Sequence, residues 1–122
     1  MELSVIIPAF NEEKRLPHTI DRVTRFLKES GVDYELIVVD DGSWDRSKDI
    51  IEERKRACNR IRLISNETNR GKGFSVKRGV EAAGGDAILF TDADLSTPIE
   101  EYRKLKGSLD DGYDVVIGSR RV

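Results

Sequence analysis

Cysteine occurs once in these 122 residues, at Cys58. No disulfide can therefore form within the chain, and a reducing compartment fits. Histidine also occurs once, as His18 beside Pro17. Cys58 thus has no histidine partner in sight and reads as a small packed residue, while His18 reads as a solvated helix residue. No apolar run approaches the ~18 residues of a membrane span. The opening "MELSVIIPAF" lacks a basic segment and is interrupted by Pro8, unlike a signal peptide. A charge excess is missing too: 21 Lys and Arg against 23 Asp and Glu give a net charge of −2, no field for nucleic acid. There is no repeat, low-complexity tract or linker. What remains, at 38% hydrophobic and 36% charged, is one globular domain. It is expected in the cytoplasm or peripheral to the cytoplasmic face of a membrane.

Five short apolar runs punctuate the chain: "LSVII" (3–7), "YELIVV" (34–39), "IRLIS" (61–65), "DAILFT" (86–91) and "DVVIGS" (114–119). Most are continuous rather than alternating, which suits strands buried on both faces of a parallel sheet. Helical patterns lie between them. Leu16, Ile20, Val23 and Leu27 share one face and Ser30-Gly31 stops that helix. A second helix is predicted over about 46–58 with Ile50, Ile51, Ala57 and Cys58 inward, and a third over about 74–83 with Val76, Val80 and Ala83 inward. A fourth opens at "TPIE", with Thr97 as N-cap, Pro98 in the first turn and Glu100 completing a capping box. Strands alternating with helices predict an α/β fold, Rossmann-like, with a mostly parallel sheet and helices on both faces. In such sheets ligands bind beyond the carboxyl ends of the strands.

The segments that follow the strands are therefore the place to look. They are "PAFNEE" (8–13), "DDGSWDRS" (40–47), "NETNRGKG" (66–73), "DADLST" (92–97) and "RRV" (120–122). Helix capping accounts for Asp45 and Thr97 but leaves Asp40, Asp92 and Asp94 over. Two carboxylates one alanine apart repel by about 4 kcal/mol at 4 Å and an effective dielectric of 20, so something cationic should offset them. A divalent cation, Mg²⁺ or Mn²⁺, would do so: such ions take one or two carboxylates together with phosphate oxygens. "NRGKG" lacks the spacing of a P-loop. Trp44 is either exposed over the cleft or an ordinary turn residue.

"SVIIPAFNEE", "LIVVDDGSWDRS", "NRGKGFSVKRG", "AILFTDADLSTP" and "VVIGSRR" fall in the order and spacing of the family 2 glycosyltransferases. The chain resembles that family, of GT-A fold, from Leu3 to Arg121, and within it the polyprenyl-phosphate sugar synthases that make dolichyl-phosphate mannose or glucose. The resemblance implies a metal-dependent inverting transfer of a hexose from UDP-glucose or GDP-mannose to an acceptor such as a polyprenyl or dolichyl phosphate. It implies that Pro8, Ala9, Phe10 and Glu12 border the nucleotide, that Asp40 recognises the base or ribose, and that Gly71 and Lys72 belong to a loop closing over the donor. It implies that Asp92, Ala93 and Asp94 form the D-x-D motif. Asp92 and Asp94 would be the metal ligands and catalytic acids, and Arg120 would contact an acceptor phosphate. Members of that family continue well beyond this length, with acceptor residues and often a general base in the later half. On that likeness residues 1–122 are the donor-binding part, truncated at the C-terminus, and membrane association would come through the missing part. A later antiparallel strand would normally lie between the fourth and fifth strands, so a gap or an exposed edge open to self-association is expected there. A non-catalytic nucleotide-sugar-binding module is the alternative.

Overall fold

The computed structural model describes residues 1–93 and the strand Val115–Ile117. Its five strands are β1 (Leu3–Ala9), β2 (Tyr34–Asp40), β3 (Ile61–Ser65), β4 (Ala87–Phe90) and β5 (Val115–Ile117). They form one sheet in the order β3-β2-β1-β4-β5. Every pairing is parallel, with Leu3 opposite both Tyr34 and Ala87. The helices between them are α1 (Leu16–Glu29), α2 (Ser47–Ala57) and α3 (Lys72–Ala82). The fourth helix expected from Thr97, together with Asp94, Arg120 and Arg121, lies outside the described residues.

The strand pleat divides the core into two layers. Leu3, Val5, Ile7 and Ala9 of β1 join Leu36 and Val38 of β2 in a cluster with Leu16, Ile20, Val23 and Leu27 of α1 and Ile51 of α2. On the opposite face Ile6, Ile37 and Val39 pack with Ala82 and Ala83 at the end of α3. Helices thus cover both faces, and β1 and β2 are buried along almost their whole length. That is why these strands read as unbroken apolar runs.

Three expectations are corrected. The inner side of α3 is made by Ser75 and Gly79, not by the valines, and Val80 is exposed. A Cβ at Gly79 would stand 2.6 Å from Ile6 Cγ2, so the helix lies too close to β1 for a larger residue to face it. In α2 only Ser47 and Ile51 are buried, and Ala57 is exposed. The helix is held to α1 by Arg54, whose guanidinium donates to both carboxylate oxygens of Asp21 at 2.9 and 3.2 Å. Finally, no gap separates β4 from β5: Ile88, Leu89 and Phe90 pair directly with Val115, Val116 and Ile117. The β4 edge is thus occupied in the ladder, and the sheet ends at β5 instead.

Candidate functional site

Chain order and sheet order part company at β1. The chain steps outward from β1 to β2 to β3, then returns through α3 to β4 on the other side of β1. Backbone diverges at such a reversal and opens a crevice at the carboxyl edge. A cavity of about 390 Å³ lies there, lined by Pro8, Ala9, Phe10 and Glu12 after β1, Asp41 after β2, Asn69, Gly71, Lys72 and Ser75 around the β3–α3 turn, and Asp92 and Ala93 after β4. Of the residues singled out from sequence, Pro8, Ala9, Phe10, Glu12, Gly71, Lys72, Asp92 and Ala93 are brought together here.

Asp40 is not among them. It follows Leu36 and Val38 on the α1–α2 side of the pleat, where it is buried and accepts the Ser43 backbone N–H at 3.2 Å. Its Oδ1 is buried without a hydrogen-bond partner among the described residues. The next residue, Asp41, falls on the α3 side and lines the cavity. It accepts four N–H groups in addition to one more from Asn69 to its carbonyl. These come from the backbones of Arg70 (2.7 Å) and Gly71 (2.9 Å) and from the side chains of Asn66 (2.8 Å) and Asn69 (3.0 Å). Burial pushes this carboxyl's pKa up, but the Arg70 N–H, the Asn66 amide and the Gly71 N–H outweigh it and hold the group below the usual carboxylate range. Asp41 therefore stays ionised and fixes the loop that ends in Gly71 and Lys72. Asn69, like Asp41, carried no signal in the sequence beyond following a strand, and Ser75, inside α3, carried none.

The β1–α1 and β2–α2 connections are stitched to one another. The backbone N–H groups of Asn11, Glu12 and Glu13 donate to Ser43 Oγ (2.8 Å), Ser47 Oγ (2.8 Å) and Asp45 Oδ2 (3.2 Å). Trp44 N–H donates to Asn11 Oδ1 at 3.0 Å, and Asn11 holds the left-handed conformation (φ 52°) that asparagine tolerates better than most residues. Asp45, one residue before the α2 N-cap Arg46, accepts the Ser47 N–H at 2.8 Å in a local turn, and the cap itself has no side-chain bond. At the rim Phe10 and Trp44 meet edge to face, ring centroids 5.0 Å apart, with the indole 79% exposed.

Across the cavity the Lys72 ammonium is ion-paired with the Asp92 carboxylate and stands 5.8 Å from the centre of the Phe90 ring. The cation expected to offset the paired acids is thus, at Asp92, a lysine of the chain itself. Among the described residues no group of three or more His, Cys, Asp or Glu gathers as a metal site. The Asp92 carboxylate lines the cavity, so a hard cation held there would share it with the Lys72 ammonium or displace that group. Substrate phosphates and water commonly supply the other ligands of such an ion.

These features can be set beside known proteins. The Glycosyl transferase family 2 model matches residues 4–122. The chain belongs to glycosyltransferase family 2. It is 40% identical over 121 residues to an undecaprenyl-phosphate 4-deoxy-4-formamido-L-arabinose transferase of Proteus mirabilis, covering 98% of this chain and 37% of that one. It is 39% identical over 135 residues to a dolichyl-phosphate beta-glucosyltransferase of Drosophila melanogaster, covering 98% and 41%. The crystal structure of S. aureus TarS 1–349 in complex with UDP-GlcNAc superposes with a TM-score of 0.74 at 29% identity, over 91% of this chain and 32% of that one. The fold is the GT-A fold of these glycosyltransferases. The family 2 chain spans about two fifths of the length of the curated relatives it matches.

Proposed function

We propose that this chain forms the donor-binding part of an inverting, metal-dependent hexosyltransferase that uses UDP-glucose or GDP-mannose and a polyprenyl or dolichyl phosphate acceptor. The observation that carries the reading is the convergence of the segments that follow four strands on one cavity holding both Asp92 and Lys72. The names of the relatives, which act on undecaprenyl and dolichyl phosphates, support the acceptor class.

The reaction moves a glycosyl group from a nucleoside diphosphate, and negative charge builds on the departing diphosphate. Asp92, with Asp94 beside it in sequence, would hold a Mg²⁺ or Mn²⁺ ion that supplies Lewis-acid stabilisation of that charge. Phe10 and Pro8 offer the apolar wall for a base, and Glu12 offers an acceptor. Lys72 is a cation on a flexible stem, able to leave Asp92 and meet a phosphate oxygen. An acceptor phosphate is already ionised at neutral pH, so it needs orientation rather than deprotonation, and Arg120 is the proposed contact.

Titration calorimetry with UDP-glucose, GDP-mannose, UDP and GDP, with and without Mn²⁺, tests this reading. One of the two nucleotide series should bind more tightly with the metal, and Asp92→Asn should lose about 10–100-fold of that metal-dependent affinity. Equal affinity with and without Mn²⁺ for every nucleotide would defeat the reading.

A further inference from the structure

Ala93 follows Asp92 at the end of the described segment, and its carbonyl is where that segment is anchored. The ladder between β1 and β4 makes its last rung at Thr91, whose N–H donates to Ile6 O at 3.0 Å. Beyond that rung no further backbone bond joins this segment to β1 among the described residues. The Ala93 carbonyl instead accepts the hydroxyl of Thr19, 74 residues away in sequence. Thr19 lies on the inner face of α1 among Leu16, Ile20 and Val23, and only 2% of it is exposed. A hydroxyl so placed is costly unless it is bonded. An alanine or valine would satisfy the helix and the core equally well, so packing gives no reason for a polar residue there. Ala93 itself is 3% exposed and belongs to the same apolar cluster as α1. The turn is therefore held by its methyl group in the core and by its carbonyl on the Thr19 hydroxyl.

We infer that Thr19 is a positioning residue for the segment that carries Asp92. It touches neither the cavity nor a ligand. Its hydroxyl fixes the peptide that follows Ala93 and so anchors the far end of the short segment from which Asp92 enters the cavity. A bond of this kind matters most when a ligand pulls on the carboxylate, because metal coordination tolerates little displacement of its oxygens. For its effect on binding the inference rests on the donor-site reading above. Its structural half stands apart from that reading.

The test compares the 122-residue chain with Thr19→Val, which keeps the shape and removes the donor, and with Thr19→Ser, which keeps the donor. UDP or GDP affinity is measured with and without Mn²⁺, and amide exchange is measured at Thr91 relative to the rest of β1 and β4. Thr19→Val is expected to lose about 10–100-fold of the Mn²⁺-dependent increment while metal-free nucleotide affinity holds. Its Thr91 amide should exchange faster, and Thr19→Ser should behave as the parent in both measurements. If Thr19→Val does not fold, Thr19→Ala replaces it under the same criteria. A parent-like Mn²⁺ increment in Thr19→Val, or equal losses in the Val and Ser variants, overturns the inference. Should the parent itself show no Mn²⁺ increment, the donor-site reading fails. The Thr91 exchange then decides on Thr19 alone: faster exchange restricted to the variant without a hydroxyl upholds the positioning role, and unchanged exchange overturns it.

Discussion

Asp40 and Asp41 are adjacent, chemically identical and differently employed. One is sealed against the β2–α2 turn and the other organises the cavity wall. A single step along a pleated chain reverses the side it faces, so choosing between them requires knowing where β2 ends, and strand ends are what a sequence shows least clearly. Asp92 was easier, since it follows a short apolar run and lines the cavity, where Lys72 pairs with it. Replacing Asp41 by alanine strips the acceptor from the Arg70 and Gly71 N–H groups and from two asparagine amides. The expected cost is about 2–3 kcal/mol of stability, read as a lower urea midpoint, together with weaker nucleotide binding as the Gly71–Lys72 loop loosens. The pH dependence has a definite sign. Besides Asp41, Asp45 and Glu35 are held below the ordinary carboxylate range: burial raises each, and hydrogen bonds led by the Ser47 N–H for Asp45 and the Gly84 N–H for Glu35 outweigh it. Groups with depressed folded pKa values contribute stability that is present above their unfolded values of about 3.9–4.3 and is lost as pH falls through the folded ones. The urea midpoint should therefore be flat near pH 7, decline below about pH 4.5, and decline less steeply in Asp41→Asn. A pH-independent midpoint down to pH 3 would contradict this assignment.

Among the elements, α1 was legible because four large apolar residues at helical spacing leave one way to bury it. All four, Leu16, Ile20, Val23 and Leu27, are fully buried. The inner side of α3 was not, because its contact is made by the smallness of its residues and not by their hydrophobicity. Gly79 and Ser75 let the helix axis approach β1, and the valines at 76 and 80 flank that contact. The same logic holds at Gly85, where a Cβ would stand 2.6 Å from Ser4 N and 2.7 Å from Leu3 C. The obstacle there is backbone, which cannot turn aside as a side chain can. At Gly79 the obstacle is Ile6, fully buried and with little freedom to move. Gly79→Ala gains helix propensity of about 1 kcal/mol but has to push α3 away from β1, and overpacking of that kind costs about 1–3 kcal/mol. A net loss is expected, and Gly79→Val should lose more. Because α3 begins at Lys72, the displacement should carry to the cavity and weaken nucleotide binding as well. An alanine variant more stable than the parent would show that the helix can settle elsewhere on the sheet.

At the scale of the molecule, strand count, parallel direction and the edge that carries the site follow from alternating apolar and helical segments, and all three were readable in the residues. The direct pairing of β4 with β5 was not, because parallel strands joined by a long crossover carry no local mark of which neighbour they choose. That pairing places β1 and β4 inside the sheet, so the cavity at their carboxyl ends rests on two strands each paired on both sides. A floor of this kind favours binding without help from further chain. Transfer asks for more. The cavity, at about 390 Å³, lies near the lower end of the range of about 300–1,000 Å³ for small-molecule sites. Among the described residues its lining offers no aliphatic groove for a polyprenyl chain: Pro8, Ala9, Phe10 and Ala93 are the only apolar members. The relatives that act on such lipids are about two and a half times as long, since this chain spans 37% and 41% of them. The 122-residue chain is therefore expected to bind its nucleotide with Mn²⁺ while transferring little or no hexose from UDP-glucose or GDP-mannose to a polyprenyl phosphate. The measurement pairs a binding isotherm with radiolabelled sugar transfer on one preparation. Binding with negligible transfer is the expected result, and it would make these residues the donor half of the enzyme and not the whole of it. Sustained turnover would show instead that the acceptor needs no wall beyond the one this sheet edge provides.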